Sequence, residues 1–203
     1  FENMGLQEAI TRAVLDAGYT QATEVQQRAI EPAMKGQDLM VSASTGSGKT
    51  ASFILPALQR VLAARANDGK RPEKGAVHGP RILVLTPTRE LAMQVATAVA
   101  TPGRLIDHLQ NGKAVLANIE MLVLDEADRM LDMGFIDDIH LIADATPKAR
   151  QTVMYSATFA GNVGALATKL LRAPQRIDVA SHTDTHADIE QRLHWADDHE
   201  HKN

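Results

Sequence analysis

The run Ala43-Ser44-Thr45-Gly46-Ser47-Gly48-Lys49-Thr50 places small residues, a lysine and a hydroxyl at the spacing that holds a chain of phosphates. In such a loop successive backbone N–H groups turn toward the anion, Lys49 reaches the outer phosphates, and the Thr50 hydroxyl holds Mg²⁺. Ser44, Thr45, Gly46, Ser47, Gly48, Lys49 and Thr50 are therefore the candidate phosphate-binding residues. Ala43 stands where the usual pattern has its first glycine, so Gly46 and Gly48 are the two that remain. The chemistry requires a strand to deliver the loop and a helix to receive it. The apolar residues 39–41 and the helical pattern over 51–62 supply both, which a mere Gly/Ser turn with a surface lysine would not need.

A second acidic element completes this chemistry. Residues 121–124, Met-Leu-Val-Leu, form an apolar run of the kind that makes a buried parallel strand, and Asp125 and Glu126 follow at its end. Ligands of open α/β sheets bind at the carboxyl ends of the strands. We assign Asp125 to the metal, with Thr50, and Glu126 to the attacking water, so that Lys49, Asp125 and Glu126 form the candidate catalytic set. Standing alone, the acidic pair would be a common helix N-terminal arrangement.

Asp125-Glu126-Ala127-Asp128 followed by Ser156-Ala157-Thr158 resembles the signature motifs of the DEAD-box RNA helicases. Gly18-Tyr19, Ala22-Thr23 and Gln26 resemble that family's Gln-containing adenine motif, with Ala22 where Pro is usual and Phe1 at the isolated upstream aromatic. The resemblance implies that Gln26 reads the adenine edge, that Tyr19 stacks on its face and that Thr23 belongs to the same site. A side-chain amide that both donates and accepts, beside an aromatic ring, suits that role. Pro87-Thr88-Arg89-Glu90-Leu91-Ala92 and Thr101-Pro102-Gly103-Arg104 are similar to the family's two RNA-contacting motifs in this half of the molecule. Pro87, Thr88, Arg89, Thr101, Gly103 and Arg104 are the RNA candidates, in a setting of small residues and helix N-termini that fits a phosphate backbone. Ser156 and Thr158 resemble the element that couples nucleotide state to strand separation, and their hydroxyls are expected to bond to Asp128.

Two departures bear on activity. Only eight residues, 93–100, separate Ala92 from Thr101, where the family has a much longer stretch with extra strands, helices and a Gly-Gly element. With no Gly, Pro, Asn or Asp in 93–100, a helix from about 88 to 100 is expected, carrying the chain ~20 Å from the sheet edge and stranding Thr101 and Arg104. The alternative is that 97–100 keeps the strand that normally precedes the second motif. The other departure is that the chain ends at Asn203, before the second domain that the resemblance implies. Without that domain's charge-stabilising arginines, nucleotide binding, feeble hydrolysis and no unwinding are expected.

The elements fit one α/β domain. With 203 residues and 44% apolar content the chain can bury a core, and strands are expected at 39–41, 82–85, 121–124, 152–155 and 176–179. The fold class is a three-layer α/β domain with a mostly parallel sheet, and the resemblance makes it a P-loop NTPase of RecA-like fold. The loss of the family's extra strands predicts a narrower sheet with an exposed edge. Residues 1–35 form an adenine-side helical cap, 36–180 the ATP-binding domain, and 181–203 an interdomain linker or the start of an absent second domain. Residues 65–81, charged and rich in Gly and Pro, are expected as a surface loop, 105–109 as a short helix, and 129–142 as helix broken near Gly134.

Net charge of −4 argues against a surface coated for nucleic acid but allows a local groove. The absence of cysteine excludes disulfides, thiolate catalysis and Cys-based zinc sites. His182 and His186 in the tail are spaced for a metal, although a linker needs no such role, and Trp195 suits packing on another domain. ATP and Mg²⁺ are the expected cofactors and RNA the expected partner, read without sequence preference by a monomeric, cytoplasmic protein with no membrane segment. The competing readings are a non-catalytic RNA- or protein-binding module that kept the fold, and an unstable fragment.

Overall fold

A computed structural model describes residues 1–67, 79–88, 99–112 and 114–179. The elements run α1 (Glu8–Asp16), α2 (Glu24–Met34), β1 (Leu39–Ser42), α3 (Lys49–Asn67), β2 (Ile82–Leu85), β3 (Val99–Ala100), α4 (Pro102–Gln110), β4 (Met121–Leu124), α5 (Ala127–Asp132), α6 (Ile136–Asp144), β5 (Gln151–Ser156), α7 (Gly161–Leu170) and β6 (Gln175–Asp178). The six strands form one sheet in the order β3-β2-β4-β5-β1-β6, and every pairing is parallel.

Because the sheet is covered on both faces, β2 and β4 are apolar throughout and buried at every residue. The period of two along each strand sorts their side chains into two cores. Leu83, Leu85, Leu122, Leu124 and Met154 face α4, α5, α6 and α7 through Leu105, Met130, Ile139 and Leu166. Ile82, Val84, Met121, Val123, Val153 and Tyr155 face α2 and α3 through Val25, Ala29, Phe53 and Ala57. Each fully buried Leu, Ile or Val adds roughly 1.5–3 kcal/mol relative to exposure. Outside α2 and α3, α1 packs Ile10 and Val14 on Ile30 and Leu55, with Phe1 partly buried beside them. Three layers around a parallel sheet thus match the expected fold class.

The region of the shortened stretch corrects one expectation. Val99 and Ala100 are not the end of a helix but a strand that pairs in parallel with Val84 and Leu85. The Thr86 N–H donates to the Ala100 carbonyl at 3.2 Å, so Thr101 emerges at the same end of the sheet as Thr86 and Pro87. At Val99 and Ala100 the strand alternative holds, because residues beside an unsatisfied strand edge gain ladder bonds that a helix end there would forgo. β2 is not the edge of the sheet, since β3 covers it at Val84 and Leu85, and the order ends at β3 on this side. Residues 89–98 otherwise lie outside the described residues, as do 68–78 and the tail with His182, His186 and Trp195.

Smaller differences concern element ends. α3 starts at Lys49 and runs to Asn67, so 65–67, expected as loop, belong to the helix. The break near Gly134 is present between α5 and α6, with Gly134 at φ +83°. Among the described residues no helix is long and apolar enough to cross a membrane.

Candidate active site

β1, β2, β4 and β5 all end at one edge of the sheet, and each continues into a segment singled out by its residues. β1 leads into the phosphate loop, β2 into Thr86-Pro87-Thr88, β4 into Asp125-Glu126 and β5 into Ser156-Ala157-Thr158. Crossover connections put all these carboxyl ends on one side, which is why elements more than 100 residues apart meet there.

The loop itself turns at Gly46 and Gly48, with φ +81° and +91°. Ala43 is buried and is not among the residues at positive φ, so the conformation it must adopt carries no penalty for its methyl group. Gly48 is constrained twice. Besides its positive φ, a Cβ there would stand 2.6 Å from Gln26 Nε2 and 2.8 Å from Thr23 Oγ1. Ser47 Oγ donates to the Ser44 carbonyl at 2.8 Å, tightening the turn. Thr45, Gly46 and Thr50 are exposed while Lys49 is half-buried at the start of α3. The free N–H groups of that helix start are a ready anion site.

Gln26 is 2% exposed and already engaged. Its Oε1 accepts from the Thr23 N–H at 2.9 Å, and its Nε2 donates to the Gly48 carbonyl at 3.1 Å. One N–H and one lone pair of the amide stay uncommitted by these two bonds. Tyr19 is 54% exposed, and its N–H donates to the Val14 carbonyl at 3.1 Å. The residues of the Gln-containing motif therefore meet the phosphate loop through Gly48, a contact across 22 residues that sequence spacing does not reveal.

Asp125 is the electrostatic centre of this edge. It is 8% exposed, and its Oδ1 is buried with no hydrogen-bond partner among the described residues. Burial pushes its carboxyl up to about 6; Lys49 pulls against this, while Glu126 and Asp128 add to it. A buried carboxylate oxygen with nothing to bond, facing a lysine, fits a divalent cation held with the Thr50 hydroxyl. The buried Thr86 Oγ1 also lacks a partner among the described residues.

Glu126 adopts the left-handed conformation, φ 53° and ψ 52°, immediately before α5. Non-glycine residues adopt it at a cost of about 1 kcal/mol or more, and such strain concentrates at working sites. Its Oε2 accepts from Arg129 at 3.4 Å. This backbone feature had no sequence signal, since Glu is not a residue that favours positive φ.

Asp128 does meet the coupling segment, but not through the hydroxyls expected. Its Oδ2 accepts from the Ala157 N–H at 3.1 Å and its Oδ1 from the Arg129 N–H at 3.0 Å. Ser156 Oγ instead donates to the Thr158 carbonyl at 2.6 Å, and Thr158 Oγ1 accepts from the Ala160 N–H at 3.2 Å. The hydroxyls are taken by the local turn, which is the cheaper closure for a Ser or Thr beside free backbone groups.

Of the RNA candidates, Pro87 is buried, Thr88 half-buried, and Arg89 lies outside the described residues. Thr101 precedes α4 in extended conformation, Pro102 opens it, Gly103 is half-buried and Arg104 exposed. A Cβ at Gly103 would lie 3.8 Å from Phe135 and 3.9 Å from Asp138, ordinary contact distances. Thr88 and Thr101 thus leave the sheet at adjacent strand ends, which the helical expectation for 88–100 had separated.

Comparison with known proteins agrees with this geometry. The profile of the DEAD/DEAH box helicases matches residues 23–99 and 95–166. The chain is 38% identical over 238 residues to ATP-dependent RNA helicase SrmB of Escherichia coli (strain K12), covering 100% of this chain and 52% of that protein. It is 34% identical over 235 residues to DEAD-box ATP-dependent RNA helicase RhpA of Helicobacter pylori (strain B128), covering 98% of this chain and 45% of that one. Among solved structures, a DEAD box protein from the hyperthermophile Methanococcus jannaschii superposes with a TM-score of 0.75 at 30% identity, over 88% of this chain and 55% of that one. The chain spans about half the length of the curated relatives it matches. An alignment of 238 columns that covers all of a 203-residue chain holds about 35 columns filled only by the relative. The two matched stretches meet at residues 95–99, inside the shortened segment. With the phosphate loop, Asp125-Glu126-Ala127-Asp128 and Ser156-Ala157-Thr158 gathered at one edge of a RecA-like sheet, the chain belongs to the DEAD/DEAH box helicase family.

Proposed function

We propose that this chain is the ATP-binding half of an ATP-dependent RNA helicase. The observation that carries the proposal is Asp125 Oδ1, buried and without a partner, at the edge where the phosphate loop and Lys49 meet. Lys49 and the backbone of Ser44, Thr45, Gly46, Ser47 and Gly48 hold the phosphates; Tyr19, Thr23 and Gln26 hold the base; Thr50 and Asp125 hold the cation; Glu126 orients water. Bound there, Mg²⁺ would neutralise phosphate charge as the terminal bond breaks. Asp128 carries a change at the acidic motif directly to the Ala157 backbone.

RNA is bound through Pro87, Thr88, Arg89, Thr101, Gly103 and Arg104. The return of Thr101 to the sheet end beside Thr86 supports a single groove for both segments. Contacts of this kind read backbone shape and charge and carry no sequence preference. Because the chain covers about half of its relatives, the coupled cycle of a whole helicase is not expected of it alone. We expect binding of Mg-ATP, feeble hydrolysis and no strand separation.

Calorimetric titration with Mg-ATP tests the proposal, with Lys49→Ala and Gln26→Ala as controls. Saturable binding that both substitutions abolish is the expected result. A folded protein that takes up no nucleotide would favour a non-catalytic module of the same fold.

A further inference from the structure

β5 carries a tyrosine, Tyr155, directly before the coupling segment, and its hydroxyl lies in the interior with the residue 0% exposed. That hydroxyl is 2.7 Å from Ser52 Oγ, 103 residues away in the chain. Ser52 Oγ gives its own proton to the Lys49 carbonyl at 2.6 Å, so Tyr155 is the donor of the pair. Burial holds the phenol well above its ordinary value, so it stays a donor throughout the physiological range.

The register places this contact beneath the candidate site. Leu85, Leu124 and Met154 are neighbours on β2, β4 and β5, so Thr86, Asp125 and Tyr155 follow at the next level of the sheet. Alternation puts them on the α3 face with Val84, Val123 and Val153. The first turn of α3, which holds Lys49, Thr50 and Ser52, lies over that row.

That turn is short of its own hydrogen bonds. Pro56 lies inside α3 and has no N–H to give the Ser52 carbonyl, so one of the bonds that would clamp the turn to the next is missing. The Tyr155–Ser52–Lys49 chain supplies an anchor from the sheet instead. The ring alone already packs against Phe53 at 5.3 Å between centroids, so packing does not need the hydroxyl.

We propose that Tyr155 is a positioning residue for the phosphate loop, its hydroxyl fixing the first turn of α3 against β5 through Ser52 so that Lys49 and Thr50 keep their places relative to Asp125. The proposal deepens the nucleotide-site reading and rests on it for its functional consequence. It also gives β5 a second link to the nucleotide, beside the Asp128–Ala157 bond, because Tyr155 adjoins Ser156.

Tyr155→Phe in the whole chain tests it, since the ring stays and Ser52 keeps its bond to Lys49. Without nucleotide, hydrogen exchange at the Phe53 and Ile54 amides, the first to close the helix, should accelerate about tenfold while melting moves by no more than about 2 °C. Mg-ATP affinity should fall about five- to tenfold, Ser52→Ala should lose a similar factor, and the double variant should lose no more than the larger single loss. Unchanged exchange at those amides, or faster exchange spread over the whole chain with a large fall in melting temperature, would overturn the proposal. So would single losses in affinity that multiply in the double variant. If the unaltered chain binds no Mg-ATP, the nucleotide reading fails, and the exchange result alone decides the anchoring.

Discussion

The two ends of the sheet treat their buried aspartates in opposite ways. At the amino ends of the strands Asp38 is 5% exposed, and both of its oxygens are occupied: Oδ1 accepts from the Thr152 N–H at 2.8 Å and Oδ2 from the Arg172 N–H at 2.7 Å. Gln151 beside it donates to the Ala33 and Gln37 carbonyls at 2.9 and 2.6 Å and accepts from Arg60 at 2.7 Å. At the carboxyl ends Asp125 is 8% exposed and leaves Oδ1 without a partner, next to a left-handed Glu126. Similar burial with opposite bonding separates a group tied into the fold from the one proposed to hold the nucleotide's cation. At the first end both Asp38 oxygens are satisfied, while at the second an unmet carboxylate oxygen stands beside a strained backbone.

Substitutions should divide along the same line. Lys49→Ala should cost the most, weakening Mg-ATP binding by about a hundredfold or more with little change in melting, as calorimetry would read. Asp38→Ala should do the reverse. One buried and one part-buried N–H group lose a charged acceptor, so chemical denaturation should show a loss of about 3 kcal/mol. Retained stability in that variant would erase the contrast between the two ends.

The pH dependence sharpens it further. Asp125 has its carboxyl raised from 3.8 to about 6, so the folded chain binds a proton that the unfolded chain releases. The stability this confers is complete below about 4, is lost as pH rises through about 6, and stays lost above. Asp125→Asn, which never ionises, should therefore gain about 2 kcal/mol over the unaltered chain at pH 7.5, with the gain shrinking toward pH 4. Glu126→Gly should give the smallest effect, a gain of about 1 kcal/mol or less from relief of its positive φ.

Much of this arrangement is legible in the residues. The apolar runs at 82–85 and 121–124 mark their strands at the observed bounds, because strands buried on both faces leave no alternation to misread. The phosphate loop and acidic pair announce themselves by residue type and order. What escapes is decided by contacts across long separations. Nothing in the sequence near Asp38 points to Thr152, and nothing near Ser52 points to Tyr155, 114 and 103 residues away. The strand at Val99–Ala100 is legible only as an alternative, for a different reason: its local pattern suits a helix, and only the ladder offered by β2 decides the matter. The partner of Asp128 was identifiable by segment but not by atom, since a backbone N–H competes unseen with two hydroxyls.

Thermal denaturation of the unaltered chain and of Asp125→Asn at pH 7.5, each with and without saturating Mg-ATP, tests the central claim most directly. The account predicts that the variant melts higher without ligand, that Mg-ATP raises the melting of the unaltered chain by several degrees, and that the variant gains little from it. A variant that melts lower without ligand, or that gains as much from Mg-ATP as the unaltered chain, would contradict the claim that Asp125 is held unsatisfied for the nucleotide's cation.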